Sequence, residues 1–331
     1  MALNVNIPVA PENEYYQIRE IPGKGYGCIA LQPIERGTRI LEDDPLLIIP
    51  FAHYLKSDIE KAFAELTSEQ KKLYLSLHSS HGQDPRKWPS KIADNIYPRE
   101  RQRIEEQHAA RTTDQPSLLS IFQTNCMEMK DGAAVFPQAA RFNHCCNPNA
   151  CFTWNDKIGK ETIHIMNHVV AGDEITISYC DMIHDKPSRT YELKHYGFVC
   201  DCRACADESD ETTFAHESAE RRFKLLELDR ETKFLRGSRL NEGAKQENFA
   251  SKLLQMAVLH QREGDFTPRL AVIYLDIALV CEVKGDLRMA EMAAVKAVEI
   301  KKNCQGTDFP TFAKYIDFLD RIRRKLAMQR P

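Results

Sequence analysis

Residues 141–149 read Arg-Phe-Asn-His-Cys-Cys-Asn-Pro-Asn, and they constrain the fold more than any other stretch of the chain. Apolar packing does not account for three asparagines and a histidine within so short a run. Asparagine and histidine hold ligands through directed hydrogen bonds, and an Asn-Pro step favours a non-helical turn. The pattern predicts a rigid ligand-binding loop, although a structural turn with internally satisfied polar groups would read the same way.

Two further stretches are typical of a binding site, one on each side of this loop along the chain. Residues 23–27, Gly-Lys-Gly-Tyr-Gly, provide backbone that a ligand can approach closely. Their spacing matches neither the dinucleotide-binding fingerprint nor the phosphate-binding P-loop. Residues 172–179, Gly-Asp-Glu-Ile-Thr-Ile-Ser-Tyr, predict a turn that leads into a strand ending at Tyr179, a position where tyrosines usually serve packing. Each stretch alone is weak evidence.

A third feature is the cysteine-rich segment at residues 200–205, Cys-Asp-Cys-Arg-Ala-Cys. Three thiols in so short and polar a segment favour zinc binding over burial in a core. Structural zinc takes four ligands, so one ligand must come from elsewhere in the chain. The tight Cys-Cys pair at residues 145–146 is the nearest cysteine-rich candidate, and Cys151 and Cys180 also compete. Spacing alone leaves the fourth ligand open.

Composition narrows the class of protein. The 331 residues are 43% hydrophobic and 28% charged, which is enough for one large core or two smaller ones. The formal net charge of -3 gives no global basic field, so we expect no direct nucleic-acid binding. Eleven cysteines, mostly clustered between residues 126 and 205, indicate metal binding rather than a disulfide framework.

The N-terminal residues and the hydropathy pattern predict the compartment of the protein. The N-terminal residues lack a basic stretch followed by an apolar one, and no window of the sequence is apolar for the length of a membrane span. We therefore expect a soluble intracellular protein, nuclear or cytoplasmic or both, with no membrane contact.

The order of patterns along the chain predicts an α+β protein. Short β-rich runs with glycine and proline turns occupy residues 15–49, and β character returns over residues 122–179 with a hairpin around Gly159. Between them, residues 51–116 are charged and rich in alanine and leucine, which predicts a helical insert. Thr67 and Gln70 have the spacing of a capping box in that insert.

The C-terminal third has a different composition. An acidic connector follows Cys205, and beyond residue 217 the pattern is helical throughout. Two alanine- and leucine-rich segments around a turn at residues 284–286 resemble a single, weak tetratricopeptide-like unit ending at Gly306. One such unit cannot bury its own core, so we expect it to pack on the preceding domain.

The four motifs taken in order resemble those of the SET-domain protein-lysine methyltransferases. Among these enzymes, the chain is most similar to the group with a split SET domain and a helical C-terminal domain. The motifs are GKGYG at residues 23–27, RFNHCCNPN at 141–149, GDEITISY at 172–179 and YGFVCDCRAC at 196–205. The resemblance covers roughly residues 15–206. It implies a SET-domain β-core of short sheets with a helical insert, a zinc-binding post-SET segment and an all-α C-terminal region.

The resemblance also implies domain bounds and site residues. The SET domain would span residues 1–206, with the insert at about 51–116 and the post-SET zinc segment at 196–206, and the helical domain would span 207–331. S-adenosylmethionine would be bound by Lys24, Gly25, Tyr26, Asn143, His144, Tyr196 and Phe198. Tyr179 would lie at the methyl-transfer centre, with Tyr196 and Phe198 closing the lysine channel. Structural Zn²⁺ would be held by Cys146, Cys200, Cys202 and Cys205.

Two departures from the family pattern affect what is carried over. Cys145 stands where serine usually precedes the zinc cysteine, which places an extra thiol beside the metal. The insert contains no cysteine, so the zinc-binding MYND module that often splits this group is absent, and partner recruitment through it is not expected.

The expected function is therefore S-adenosylmethionine-dependent methyl transfer to the ε-amine of lysine in a protein, with histones as one candidate substrate class. Two alternatives stay open. The first is a SET fold that has been repurposed for small-molecule chemistry or kept as a non-methylating scaffold. The second is a protein-interaction module in which the helical C-terminal domain binds a partner and the zinc core supports it.

Overall fold

The computed structural model describes residues 13–88, 92, 95–237 and 243–329. The first twelve residues, on which the expectation of no N-terminal leader depends, lie outside the described residues. So do short parts of the predicted insert and of the C-terminal domain, at 89–91, 93–94, 238–242 and 330–331.

Nine strands in the described residues form three small sheets. The strands are β1 (Tyr16–Ile21), β2 (Gly25–Ala30), β3 (Arg39–Asp43), β4 (Leu47–Ile49), β5 (Cys126–Met129), β6 (Gly132–Val135), β7 (Ala150–Asn155), β8 (Lys160–Ile165) and β9 (Glu174–Ile175). The sheet orders are β1-β2-β9, β3-β8-β7 and β4-β6-β5. β7 and β8 form the predicted antiparallel hairpin, and Gly159 takes a φ of 67° in its turn.

Ten α-helices in the described residues complete the fold. They are α1 (Lys56–Ala64), α2 (Ser68–Leu75), α3 (Pro98–Thr112), α4 (Leu118–Asn125), α5 (Lys186–Leu193), α6 (Phe214–Gly237), α7 (Gly243–Glu263), α8 (Pro268–Val283), α9 (Leu287–Gln305) and α10 (Phe312–Met328). Single 3-10 turns lie at Pro85–Lys87, Ala139–Arg141 and Lys194–Tyr196. The predicted α+β class, with short sheets and an all-α C-terminal region, is confirmed. The division at residue 206 stays a prediction.

The predicted insert is helical, with a longer helical stretch than expected. α1, α2 and α3 lie within residues 51–116, and the capping box before α2 is present, with Gln70 N donating to Thr67 Oγ1 at 3.2 Å. The β character expected from residue 122 begins only at Cys126. Residues before it form α4, because Ser117 caps that helix by accepting from Ser120 N at 3.0 Å.

The strand predicted over residues 172–179 is cut short. β9 comprises only Glu174–Ile175, and Ile177 makes an isolated parallel bridge to His144. The reason is that side chains of the 141–149 loop take backbone groups that a ladder would use. Asn149 accepts from Thr176 N at 2.8 Å and donates to the Glu174 carbonyl at 2.9 Å. Because of these bonds, the end of the segment is joined to the polar loop.

The C-terminal helices pack on the SET-like core, as expected. α8 and α9 are separated by the predicted turn, where Gly285 has a φ of 79°. α9 lies against β7 and β8, and the Cys151 thiol of β7 donates to the Cys304 carbonyl of α9 at 3.4 Å. Arg39 of β3 pairs with Asp308 just beyond that helix. None of the described helices combines the length and apolarity needed to cross a membrane.

The β3-β8-β7 sheet buries two carboxyl groups opposite each other. Glu161 of β8 is fully buried, and neither of its carboxyl oxygens has a hydrogen-bond partner among the described residues. Asp43 of β3, its register partner, accepts from the Gln138 and Ala139 amides at 2.7 and 2.9 Å. Burial and the neighbouring Asp43 raise the pKa of Glu161 to about 9, so its carboxyl is neutral at pH 7.

Candidate active site

Four of the predicted zinc ligands converge at one point. The Sγ atoms of Cys146, Cys200, Cys202 and Cys205 all lie within 4.8 Å of one another. Cys146 is 3.4 Å from Cys205 and 3.9 Å from Cys200. Tetrahedral zinc with Zn–S bonds of about 2.3 Å requires sulfur atoms about 3.8 Å apart. The donor set and its spacing fit zinc, which would join the 141–149 loop to the post-SET segment.

The alternatives for the fourth ligand lie elsewhere or serve other partners. Cys151 is buried against α9. Cys145 donates to the Asn147 carbonyl at 3.3 Å and accepts from the Asn147 amide at 3.4 Å. Cys180 is nearer, since its sulfur lies within 4.8 Å of ligand atoms of both His144 and Cys146. The group of four cysteines supplies a complete tetrahedral set, whereas the His144 group supplies three atoms.

A buried arginine faces the thiol cluster. Arg189 of α5 is 2% exposed; its guanidinium donates to the His184 carbonyl at 2.7 Å, to the Ala204 carbonyl at 3.0 Å and to Cys205 Sγ at 3.7 Å. Burial alone would lower the pKa of Arg189, but the sulfurs of Cys146 and Cys205 raise it above its ordinary value. Four thiolates around Zn²⁺ carry net negative charge, so a buried cation here is balanced electrostatically.

A second buried arginine ties the C-terminal helices to the same loop. Arg222 of α6 is fully buried, and it donates to the Cys146 carbonyl at 2.6 Å and also to the Met182 carbonyl. Its counter-charge is the buried Glu263 of α7, at 2.9 Å. Glu263 also accepts from Ser218 Oγ at 2.6 Å. The backbone of a predicted zinc ligand is therefore held by an ion pair between two C-terminal helices.

Two asparagines extend this connection. Asn147, next to the predicted zinc ligand Cys146, donates to the Glu263 carbonyl, and Asn167 donates to the Gly264 carbonyl at 2.8 Å. Arg203 of the post-SET segment donates to the Asn147 side-chain oxygen at 2.9 Å. The polar loop thus contacts both the post-SET segment and the end of α7.

The Glu174 carboxylate connects the predicted cofactor residue Lys24 to Asn143 of the 141–149 loop. Asn143 donates to Glu174 Oε1 at 2.8 Å, and the Lys24 ammonium lies 3.3 Å from Glu174 Oε2. Gly27 allows this approach, because a Cβ there would lie 2.6 Å from Asn143 Nδ2 and 2.8 Å from Glu174 Oε1. Glu174 was not among the predicted site residues, although it lies inside the GDEITISY motif.

The glycine-rich turn presents open backbone. Gly25 has a φ of 72°, and a Cβ built on it would meet no heavy atom within 4 Å. Tyr26 beside it is 47% exposed, and Phe198 is 38% exposed. Among the described residues, Tyr26 makes no ring contact with the other predicted aromatics. Open backbone with exposed aromatic rings on both segments fits an amphipathic ligand such as S-adenosylmethionine.

The predicted catalytic aromatics form one cluster with His144. The ring centroids of Tyr179 and Tyr196 are 4.7 Å apart, and Phe198 lies 6.4 Å from Tyr179 and 6.5 Å from Tyr196. His144 lies 5.3 Å from Tyr179, and its Nδ1 accepts from the Tyr179 amide at 2.9 Å. The imidazole therefore fixes the backbone of the tyrosine that ends the GDEITISY segment.

The Tyr179 hydroxyl has a defined partner. It donates to the Phe142 carbonyl at 2.6 Å. Burial and the neighbouring Tyr196 raise the pKa of Tyr179, and burial likewise raises the pKa of Tyr196. Both phenols are therefore neutral at physiological pH, and Tyr179 keeps an oxygen lone pair that can accept a hydrogen bond.

A cavity of about 320 Å³ borders both tyrosines. Its lining residues come from the insert, from α4, from the end of the 172–179 segment and from α5 with the turn after it: Tyr54, Gln107, Arg111, Gln123, Tyr179, Glu192, His195 and Tyr196. The lining is mostly polar, and the insert contributes three of these eight residues. Because it reaches the predicted catalytic aromatics, this cavity is a candidate entry for a substrate side chain.

Comparison with known proteins decides the family. The model of the SET domain matches residues 25–180, a span that contains the polar loop, β9 and Tyr179. Residues 25–180 form a SET domain. The resemblance predicted from the four motifs is thereby confirmed.

Relatives of this SET-domain protein carry lysine-methyltransferase names. It is similar to "Histone-lysine N-methyltransferase set5" of Schizosaccharomyces pombe, with 28% identity over 94% of this chain and 86% of that protein. It is also similar to "N-lysine methyltransferase SMYD2-A" of Xenopus laevis, with 35% identity over 28% of this chain and 24% of that protein. The solved structure "Structure of Rubisco LSMT bound to AdoMet" superimposes at a TM-score of 0.38 and 14% identity, covering 96% of this chain and 89% of that one. At that score the superposition locates no site residue.

Proposed function

We propose that this chain transfers a methyl group from S-adenosylmethionine to the ε-amine of a lysine in a protein substrate. The family match and the lysine-methyltransferase names of its relatives support the reaction class. The observation that carries the proposal for the site is the Tyr179 hydroxyl, held 2.6 Å from the Phe142 carbonyl inside a cluster of aromatic rings that borders a cavity.

The first task of such a site is to deliver a neutral amine. A lysine ammonium with its ordinary pKa near 10.4 is almost fully protonated at pH 7 and has no lone pair to attack with. Burial among Tyr179, Tyr196 and Phe198 would disfavour the charged form and lower that pKa. Because both phenols stay neutral, they offer the ammonium no stabilising negative charge.

The second task is alignment. The Tyr179 oxygen accepts and the Phe142 carbonyl accepts, so the two can orient the N–H bonds of an amine while its lone pair points at the methyl group. S-adenosylmethionine, when bound, supplies a methyl on a positively charged sulfur, which is the electrophile of the reaction. The contribution of the chain is then positioning and desolvation, with no covalent intermediate.

We assign cofactor binding to the predicted residues Lys24, Gly25, Tyr26, Asn143 and His144, together with Tyr196 and Phe198. The open backbone at Gly25 and the amide of Asn143, oriented by Glu174, support this assignment. A carboxylate that binds both Lys24 and Asn143 keeps two cofactor-facing side chains in a fixed relation.

We propose that Cys146, Cys200, Cys202 and Cys205 hold one structural zinc ion. The segment that carries three of these ligands also carries Tyr196 and Phe198, so zinc binding would order the aromatic cluster. A SET domain over residues 1–206 and a helical domain over residues 207–331 remain the proposed division.

The setting of the protein follows from the same features. Eleven cysteines without a disulfide favour a reducing compartment, so we propose the nucleus, the cytoplasm or both. The lysine-bearing substrate is the proposed partner, and the negative net charge argues against direct nucleic-acid binding. A second protein partner on the helical C-terminal domain is supported by exposed apolar side chains such as Val283 and Met292.

The test is a methylation assay with methyl-labelled S-adenosylmethionine, purified full-length protein, a lysine peptide library and a cell extract. We expect label in the protein and peptide fractions that hydrolysis releases as methyl-lysine. Label found only in the small-molecule fraction would favour the metabolite alternative. Cofactor binding without transfer to any fraction would favour the scaffold alternative.

A further inference from the structure

The cavity next to Tyr179 and Tyr196 is lined by polar side chains with atoms that lack a hydrogen-bond partner among the described residues. Arg111 Nε, both amide atoms of Gln123 and His195 Nδ1 are buried, and none of them has a hydrogen-bond partner among the described residues. All three side chains line the same cavity. Buried polar groups left unpaired are destabilising and uncommon, so a cluster of them around a cavity indicates that ordered water or a bound ligand supplies the missing partners.

The cavity walls carry one cation and one carboxylate, and the two form no ion pair with each other. No carboxylate among the described residues forms an ion pair with Arg111, and burial lowers the pKa of its guanidinium. Glu192 also lines the cavity, but one of its oxygens is bonded to His184 Nδ1 and the other accepts from the Asp181 amide at 3.0 Å. Burial and Arg111 lower the pKa of His195 to about 4, so its imidazole is neutral at pH 7. Arg111 is therefore the one cation of the lining and has no ion-pair partner among the described residues, whereas Glu192, the one carboxylate of the lining, is bonded to other groups.

The position of Arg111 is fixed by its neighbours. Its guanidinium lies 4.8 Å from the centroid of the Trp88 ring, and the Trp88 indole donates to Gln83 Oε1 at 3.2 Å. The backbone N–H of Gln83 in turn donates to the backbone carbonyl of Arg111 at 2.9 Å. A preorganised guanidinium binds a carboxylate in a planar, two-point geometry with little loss of side-chain freedom.

We propose that Arg111, assisted by the amide of Gln123, binds a carboxylate of the substrate beside the target lysine. The carboxylate belongs either to an acidic side chain close in sequence to that lysine or to a peptide C-terminus. This inference rests on the proposed methyltransferase function and adds a substrate preference to it. The cation from α3 selects the substrate, and the aromatic cluster performs the transfer.

The test compares matched peptides in the labelled-cofactor assay. Each peptide carries one lysine, with Glu or Gln placed in turn at neighbouring positions, and a second pair ends in a free carboxylate or an amide shortly after the lysine. A hydrogen-bonded ion pair contributes enough to raise kcat/KM by about ten- to a hundredfold for the acidic member of the productive pair. The two sets of pairs distinguish a side-chain carboxylate from a C-terminal one.

Variants assign the effect to Arg111. Arg111→Gln should lose the preference, so that its kcat/KM is the same on acidic and neutral peptides, and an unchanged affinity for S-adenosylmethionine would show that it is folded. Arg103→Gln is the matched control, because Arg103 lies on the same helix but pairs with Glu100 and does not line the cavity. It should keep the preference.

The outcomes separate this inference from the function on which it rests. Equal rates on acidic and neutral peptides would overturn the inference and leave the methyltransferase function standing. An Arg111→Gln variant that methylates both peptides more slowly by the same factor would also overturn the inference, because Arg111 would then be a structural residue. If no lysine peptide is methylated although the cofactor binds, the proposed function fails and the substrate preference fails with it.

Discussion

Replacement of Arg222 by methionine would test whether the C-terminal helices hold the active-site loop. The change keeps an unbranched apolar stem but removes the guanidinium, and with it the donors to Cys146 O, Met182 O, Ser218 Oγ and Glu263. Two buried carbonyls then lose a partner, and a buried ion pair is broken. Breaking such a pair typically costs about 3–5 kcal/mol. We expect a loss of that size in the free energy of unfolding.

The neighbouring Arg221 provides a matched control. It pairs with the same carboxylate at 2.7 Å, but its remaining charged partner is the exposed Glu217, and it has no bond to the SET core. Arg221→Met should therefore lose only about 1–2 kcal/mol, the size of a hydrogen bond to a charged group. Urea unfolding monitored by circular dichroism measures both values.

Zinc retention separates positioning from general stability. Removal of a group that supports a metal ligand typically weakens metal affinity about 10- to 100-fold. Arg222→Met should therefore release zinc to a competing chelator at lower chelator concentration than the wild type, whereas Arg221→Met should not. Equal zinc affinities in all three proteins would refute the idea that α6 holds the metal site. Equal stability losses in the two variants would refute the ion-pair argument.

Three further predictions concern the metal, the cofactor and pH. Purified protein should hold about one zinc per chain by atomic emission; Cys146→Ser should lose it and Cys145→Ser should keep it, and the reverse would mean that the fourth ligand is misassigned. Gly27→Ala should weaken S-adenosylmethionine binding by about tenfold or more in calorimetry, because the new Cβ displaces Asn143, and unchanged affinity would exclude a cofactor contact there. Glu161 has a folded pKa of about 9 against an ordinary 4.5, so the folded state binds more protons and wild-type stability falls with rising pH across that window, by at most about 1.4 kcal/mol per pH unit. Glu161→Gln should remove that slope in unfolding measured from pH 5 to 8.5, and an unaltered slope would show that another group causes it.

Much of the site was predictable because its chemistry is concentrated in short motifs. The three thiols of the post-SET segment and the polar loop around Asn143 are local patterns, and the structure brings them together as expected. The choice of Cys146 over Cys145 was different. Spacing left it open, the family resemblance selected Cys146, and the sulfur positions agree with that choice.

What escaped prediction depends on partners far apart in the sequence. Glu174 reads as an ordinary turn residue until folding places Lys24, 150 residues away, and Asn143, 31 residues away, on its two oxygens. Arg222 and Glu263 lie in a region that the sequence predicts only to be helical, yet both are buried and bonded to each other across 41 residues. The sequence did not predict that β9 ends at Ile175. It ends there because the Asn149 side chain, rather than a neighbouring strand, accepts the hydrogen bond of the Thr176 amide.

Tyr179→Phe tests the central claim most directly. The ring and its packing are retained, so the fold, the zinc content and the affinity for S-adenosylmethionine should match the wild type. Only the hydroxyl bonded to the Phe142 carbonyl is lost, and removal of one aligned transition-state contact typically lowers kcat about a hundredfold or more. The measurement is kcat for methyl transfer to a protein lysine, with product methyl-lysine identified by mass spectrometry. A variant that methylates lysine as fast as the wild type would contradict the account, because Tyr179 would then be a packing residue.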